Sequence, residues 1–409
     1  QRLTSRKLRA QRVKTHHKKA HGRKSHKEVE DDEDDEEDQE YERKRRKAKL
    51  LKKEYAEMEH GEKEFAYHPD ILSAGPDAEI LMSPNLMSFC EASAKRTSQA
   101  PAGWTKGQKR MLVVIMDWAQ GDDSLAPFSH QMTDPEPIGY YRDTIFPKVA
   151  KSFESMSYGK YGLQIDVVPE VIRFLRNRNG MPGMLPFPAL YNEAREALTH
   201  GPHGEKYLFR DYDLVFVLHP HVQPVGTKGV AWVGSRGAIC NGCETIDDNF
   251  KVMVMVHELG HNLGLSHASS VALEYGNPFD WMGNYPDVTG LSYGLGYKMD
   301  LKWLPTSSVL KITEKELGGL SDLVHLKPMD GSSRVRQGEI VGIKVHLTKF
   351  TRDLFIAYRA TAGEEAGVYL TWQDKEKPHS ELIDCACHSP SQRDARLRVG
   401  WTFVDPLQQ

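Results

Sequence analysis

His257-Glu258-Leu259-Gly260-His261-Asn262-Leu263-Gly264-Leu265-Ser266-His267 constrains this chain more than any other stretch of it. Residues four apart share one face of an α-helix, so His257 and His261 can aim their imidazoles at one metal ion. Glu258, next to the first of them, stands where a carboxylate reaches the outer side of a metal-activated water without ligating the ion. Gly264 falls where the helix has to stop. Glycine takes φ > 0 without penalty, which permits a sharp reversal that returns His267 as a third ligand. Three ligands leave a fourth position open, the arrangement of a catalytic rather than a structural Zn2+ site. The run before the motif, 252–256, is apolar all round and reads as a helix buried through the centre of a domain, held by packing rather than propensity.

The surroundings of that helix predict an α+β fold. Residues 110–117 form a short continuous apolar run, as a strand buried on both faces does. Helix-period apolar residues (Tyr141, Ile145, Val149, Phe153) mark 138–157. A strand over 163–174, a helix over 188–199, a strand over 213–218 and a short strand over 229–234 follow. This order predicts a twisted mixed sheet backed by helices, spanning 108–305. Beyond it, β-like runs at 309–313, 323–326, 339–347, 353–360 and 367–372 predict a small all-β domain over 306–409, a sandwich or a barrel. At 409 residues the chain has room for two or three domains.

The net charge of -3 conceals its placement. Residues 1–27 are basic, 28–42 acidic and 43–53 basic again, so 1–64 has almost nothing to bury and reads as a disordered or pro-segment tail. Its basic blocks also fit an anionic surface or nucleic acid, the less favoured partner here. Arg43-Lys44-Arg45-Arg46 resembles both a multibasic processing site and a nuclear-localisation cluster. His16, His17, His21 and His26 read as incidental to that segment. Residues 65–107, rich in Pro, Ser, Ala and Gly, read as a linker or pro-segment remnant. The first residues are charged and precede no apolar stretch of the kind a secretion leader needs, and no run approaches the roughly 18 apolar residues of a membrane span.

The motif His-Glu-x-x-His-x-x-Gly-x-x-His resembles the zinc signature of metzincin metallopeptidases, which place a methionine turn beneath the metal. Tyr275-Gly-Asn-Pro-Phe-Asp-Trp-Met-Gly283 supplies Met282 at that place and is similar to the corresponding stretch of gametolysin-like metallopeptidases (peptidase family M11). Ser157-Tyr-Gly-Lys160, Leu301-Lys-Trp-Leu304 and a β-rich C-terminal region add to the likeness, which covers about residues 110–375 and is strongest at 257–283. Asn277, where the family pattern has Asp, and the bulky Trp281 depart from it. The resemblance implies a secreted zinc endopeptidase with Glu258 as general base. It also implies a protein or glycoprotein substrate, from the extracellular matrix or a cell wall, lying extended along an edge strand. Gly229, Val230, Ala231, Trp232 and Val233 are the candidate edge, unless that strand is internal.

Other candidates stay open at this level. Tyr285 is either a donor to the oxyanion or metal, or a packed aromatic. Asp280 is placed to orient a ligand. Cys240 and Cys243 form either a local disulfide or half of a second metal site completed by Cys385, Cys387 and His388. Cys90 is either a thiolate plug on the zinc or an ordinary linker thiol. The rival reading is a catalytically silent metallopeptidase fold whose charged tail docks to a partner. Oligomeric state leaves no mark on the sequence.

Overall fold

The computed structural model describes residues 103–117, 136–174, 187–220, 228–243, 246–271, 273–283, 291–317, 323–331, 335–360, 366–376, 379–386, 391–400 and 402–403. The charged segment 1–64, nearly all of 65–107 with Cys90, and Tyr285, Cys387 and His388 lie outside the described residues. The described residues all belong to one compact unit.

The first sheet is built from β1 (Gly107–Asp117), β2 (Tyr161–Val167), β3 (Ile172–Arg173), β4 (Leu214–His219), β5 (Gly229–Ala231) and β6 (Gly237–Asn241). Its order is β2-β1-β4-β6-β5, with β3 also paired to β1. β1, β2, β4 and β6 run parallel, and β5 alone is antiparallel, against β6. Every residue of β4 and β6 is buried, as is the Met111–Asp117 half of β1. Such strands need cover on both faces. Alternation supplies it: Met111, Val113 and Ile115 point into one cluster, while Leu112, Val114 and Met116 point into another.

The first cluster is closed by α1 (Glu136–Tyr140), which runs through a π turn at Tyr141–Ile145 into α2 (Phe146–Met156), and by the central helix. The second is closed by α3 (Phe187–His200). The 163–174 run divides into β2 and β3 around Val168–Val171, where Pro169 cannot donate to a ladder. The sheet backed by helices is compatible with the twisted mixed sheet and backing helices expected of the α+β fold.

The central helix, α4 (Asp248–Asn262), carries the first two histidines. Asp247 caps it, its Oδ1 accepting from the Phe250 amide at 2.9 Å. It is buried from Lys251 to Asn262, so packing on the sheet outweighs the indifferent propensity of its valines. It ends in a Schellman turn: Gly264 N bonds His261 O at 2.8 Å and Leu265 N bonds Gly260 O at 3.1 Å. Gly264 has φ +96°, the left-handed value such a turn requires.

A second six-stranded sheet has the order β7-β12-β11-β10-β9-β8. Its strands are β7 (Ala268–Ser270), β8 (Val309–Thr313), β9 (Gly342–His346), β10 (Arg352–Arg359), β11 (Gly367–Asp374) and β12 (Ser380–Ile383). Helix α5 (Leu295–Asp300) lies between β7 and β8, and the short α6 (Glu314–Leu317) follows β8. The expected β-like runs at 309–313, 339–347, 353–360 and 367–372 fall on strands, whereas 323–326 contributes only a bridge from Leu326 to Ile340. This sheet is not made of C-terminal residues alone. β7, directly after His267, is its terminal strand, paired in parallel with β12. No helix among the described residues is long and apolar enough to cross a membrane.

Candidate metal centre

His257, His261 and His267 bring one nitrogen each to within 4.8 Å of one another, the one such converging group among the described residues. Their rings are mutually close, with centroids 4.8 Å (His257–His261), 4.9 Å (His261–His267) and 5.4 Å (His257–His267) apart. The decisive detail is the other nitrogen of each ring. His257 Nδ1 donates to Trp281 O at 2.9 Å, His261 Nδ1 to Leu265 O at 2.7 Å, and His267 Nδ1 to the Glu274 carboxylate at 2.7 Å. An acceptor on every Nδ1 fixes the tautomer and leaves each Nε2 lone pair for a metal.

Electrostatics point the same way. Burial, reinforced by the neighbouring histidines, lowers His257 to about 3 and holds His261 well below its ordinary value, so both imidazoles are neutral at neutral pH. Neutral ligands need release no proton before binding a cation. Three nitrogen donors suit zinc, and this donor set fits it.

Glu258 is buried, and burial pushes its carboxyl up to about 8. A neighbouring dication acts in the opposite direction, favouring the carboxylate. Its Oε1 lies against the backbone of Gly229 so closely that a Cβ there would overlap it. This contact joins the carboxylate to β5, the strand at the end of the first sheet. Asn262 reinforces the joint, donating to Trp232 O at 3.1 Å and Gly237 O at 2.8 Å. Gly229→Ala is expected to displace Glu258 and lower kcat about 10²-fold while zinc content stays at the wild-type level. Steady-state kinetics with metal analysis checks this, and an unchanged kcat contradicts the contact's importance.

The candidate edge strand is shorter than its sequence suggests. Gly229, Val230 and Ala231 form β5, but Trp232 and Val233 lie in the turn to β6. Trp232 faces the α3 side of the sheet, 4.1 Å from Phe187 and 4.8 Å from Tyr191 between ring centroids, which ends the strand. Cys240, opposite Gly229 in the register, is disulfide-bonded to Cys243. Those sulfurs are therefore not thiolates, and the half-site of a second metal does not form there.

Met282 is fully buried with its sulfur against Gly260, between the two helical ligands, and its carbonyl accepts from Ala268 N at 2.8 Å. Asp280 touches no ligand in its hydrogen bonds. Oδ1 accepts from Met282 N at 2.9 Å and Oδ2 from Gly294 N at 2.7 Å, so it clamps the turn whose Trp281 carbonyl meets His257. Burial raises its carboxyl to about 6, and the two amides partly offset this.

Two further residues contact the third histidine, a role that the sequence assigns to neither. Glu274 is a half-exposed acid seven residues after its histidine, and nothing separates it from other surface carboxylates until the loop folds. Tyr275 lays its ring 4.0 Å from that of His267.

Residues 189–268 match the M12B reprolysin-like metallopeptidase family. The match supports a metzincin-type metallopeptidase. It runs from α3 to the residue after the third histidine, so it covers β5, α4 and all three candidate ligands. It supports a hydrolase acting on peptide bonds, and a peptidase implies protein substrates. No curated protein matches the chain.

Proposed function

We propose that the chain is a zinc-dependent endopeptidase of the gametolysin-like type, secreted, with His257, His261 and His267 as metal ligands and Glu258 as general base. The observation that carries this reading is the set of Nδ1 acceptors, which aims three imidazoles at one point beside a buried carboxylate. Zinc, when bound, supplies Lewis acidity, lowering the pKa of water from 15.7 to about 7 and polarising a carbonyl oxygen. Glu258 takes the proton of the attacking water as its oxygen joins the peptide carbon, and passes a proton to the amine nitrogen as the C–N bond breaks. The carboxylate's place against Gly229 puts that transfer beside β5, whose backbone receives an extended substrate by strand addition. Met282 and Asp280 support the floor of the site as a methionine turn. Tyr285 is retained as a candidate oxyanion donor.

On this reading residues 108–305 form the catalytic portion, 306–409 a β-rich portion sharing a sheet with β7, 1–64 a charged tail or pro-segment and 65–107 a linker or pro-segment remnant. The substrate class is a matrix or cell-wall glycoprotein. Secretion is supported by the Cys240–Cys243 disulfide, since such bonds persist in oxidising compartments.

Zinc analysis with casein or gelatin digestion, run on wild type and Glu258→Ala, tests the proposal. Wild type is expected to cleave and the variant to bind zinc without cleaving. Equal or absent cleavage in both, with zinc bound, contradicts an enzyme.

A further inference from the structure

The first two ligands sit on a buried helix, but the third does not. His267 follows the Schellman turn, and its side chain is 23% exposed. What fixes its backbone comes from a distant part of the chain. Ala268, Ser269 and Ser270 register with Ser380, Glu381 and Leu382 of β12. The hydroxyl of Tyr297 in α5 holds the junction, 2.9 Å from Ser266 O, 2.9 Å from His267 O and 3.0 Å from Ser380 N. A phenol has one hydrogen to donate and lone pairs to accept. The two carbonyls share that hydrogen, and the Ser380 amide donates to the oxygen. A parallel tie lies two residues on: Ser269 Oγ is 3.0 Å from His379 Nε2 and donates to Ser380 O at 3.3 Å.

Those two carbonyls belong to the last peptide groups before β7, one of them to the ligand itself. Their position sets where the His267 imidazole points, and metal sites tolerate only about 0.5 Å of such error. Glu274 orients the ring from the outside, but it is half exposed and cannot locate the main chain.

We infer that Tyr297 is a positioning residue for the third metal ligand, and that β12 is thereby part of the frame of the metal site. The inference rests on the zinc-site reading above. It makes the C-terminal sheet a requirement for metal binding, where the sequence suggests only an appended domain.

The test uses the full chain. Tyr297→Phe keeps the buried ring and deletes only the hydroxyl. Zinc affinity is measured by competition with a chromophoric chelator, at a temperature where circular dichroism shows variant and wild type equally folded. The visible spectrum of the cobalt(II) form reports the ligand set. Affinity is expected to fall about 10- to 100-fold, the usual effect of losing a group that orients a ligand. Tyr158→Phe serves as the control: it deletes another buried hydroxyl, which donates to Met329 O and accepts from Lys298 Nζ and touches no ligand backbone. It is expected to lower the melting temperature and leave zinc affinity unchanged.

A folded Tyr297→Phe that binds zinc within about twofold of wild type overturns the inference. So does an equal loss in Tyr158→Phe, which would make the effect one of general stability. Should Tyr297→Phe fail to fold, Ser269→Ala decides, with weaker zinc binding expected and unchanged binding overturning the inference. Wild type that binds no zinc would instead overturn the zinc-site reading, a distinguishable result.

Discussion

His261→Ala is expected to remove zinc and peptidase activity together. His261 lies between its two partners, with ring centroids 4.8 and 4.9 Å away, and its Nδ1 is committed to Leu265 O. Without it, two imidazoles remain where a catalytic zinc site takes three protein ligands. The metal's contribution to water activation spans almost nine pKa units, so losing it should lower turnover by roughly 10³-fold or more. A second readout is thermal. Ligand that binds only the folded state stabilises by mass action. Zinc should therefore raise the melting temperature of wild type and not that of the variant. A His261→Ala protein that retains stoichiometric zinc and activity would show that these histidines are not the ligands.

Glu258→Gln is expected to separate the two properties. Glutamine keeps the shape of the side chain and its contact with Gly229, and it leaves all three Nδ1 acceptors in place. Zinc content should match wild type. A side-chain amide cannot take the proton of the attacking water, so kcat should fall about 10²- to 10⁴-fold, the usual range for losing a general base. KM should change little, since the proposed strand addition places the substrate's backbone contacts on β5. Activity close to wild type would exclude Glu258 as the base and leave its burial beside the three histidines without a catalytic purpose.

Features fixed by local geometry were legible from residues alone. The four-residue spacing of His257 and His261 needs only a helix to become a shared face, and Gly264 needs only its φ of +96° to turn the chain. The buried strands β1 and β4 announce themselves as unbroken apolar runs because parallel strands are covered on both sides. Features that depend on distant partners were not legible. β12 is four residues long, mixes Ser and Glu with Leu and Ile, and becomes a strand only by pairing with β11 and β7. Trp232 looks like a strand residue until α3 supplies the aromatic pocket that turns it inward. Asp280 reads in the sequence as a residue that orients a ligand, and its carboxylate goes instead to two backbone amides of the turn. The division at 305 missed that the chain after the third histidine already belongs to the second sheet. A composition shift marks where residues change, not where strands pair.

Zinc reconstitution tests the central claim most directly. The full chain is stripped with a chelator, then titrated with zinc while bound metal and casein hydrolysis are followed in the same samples. The account predicts no hydrolysis in the stripped protein and recovery in proportion to zinc bound, complete near one equivalent on the three-histidine site. Hydrolysis that persists without metal, or stoichiometric zinc binding that restores none, would contradict it.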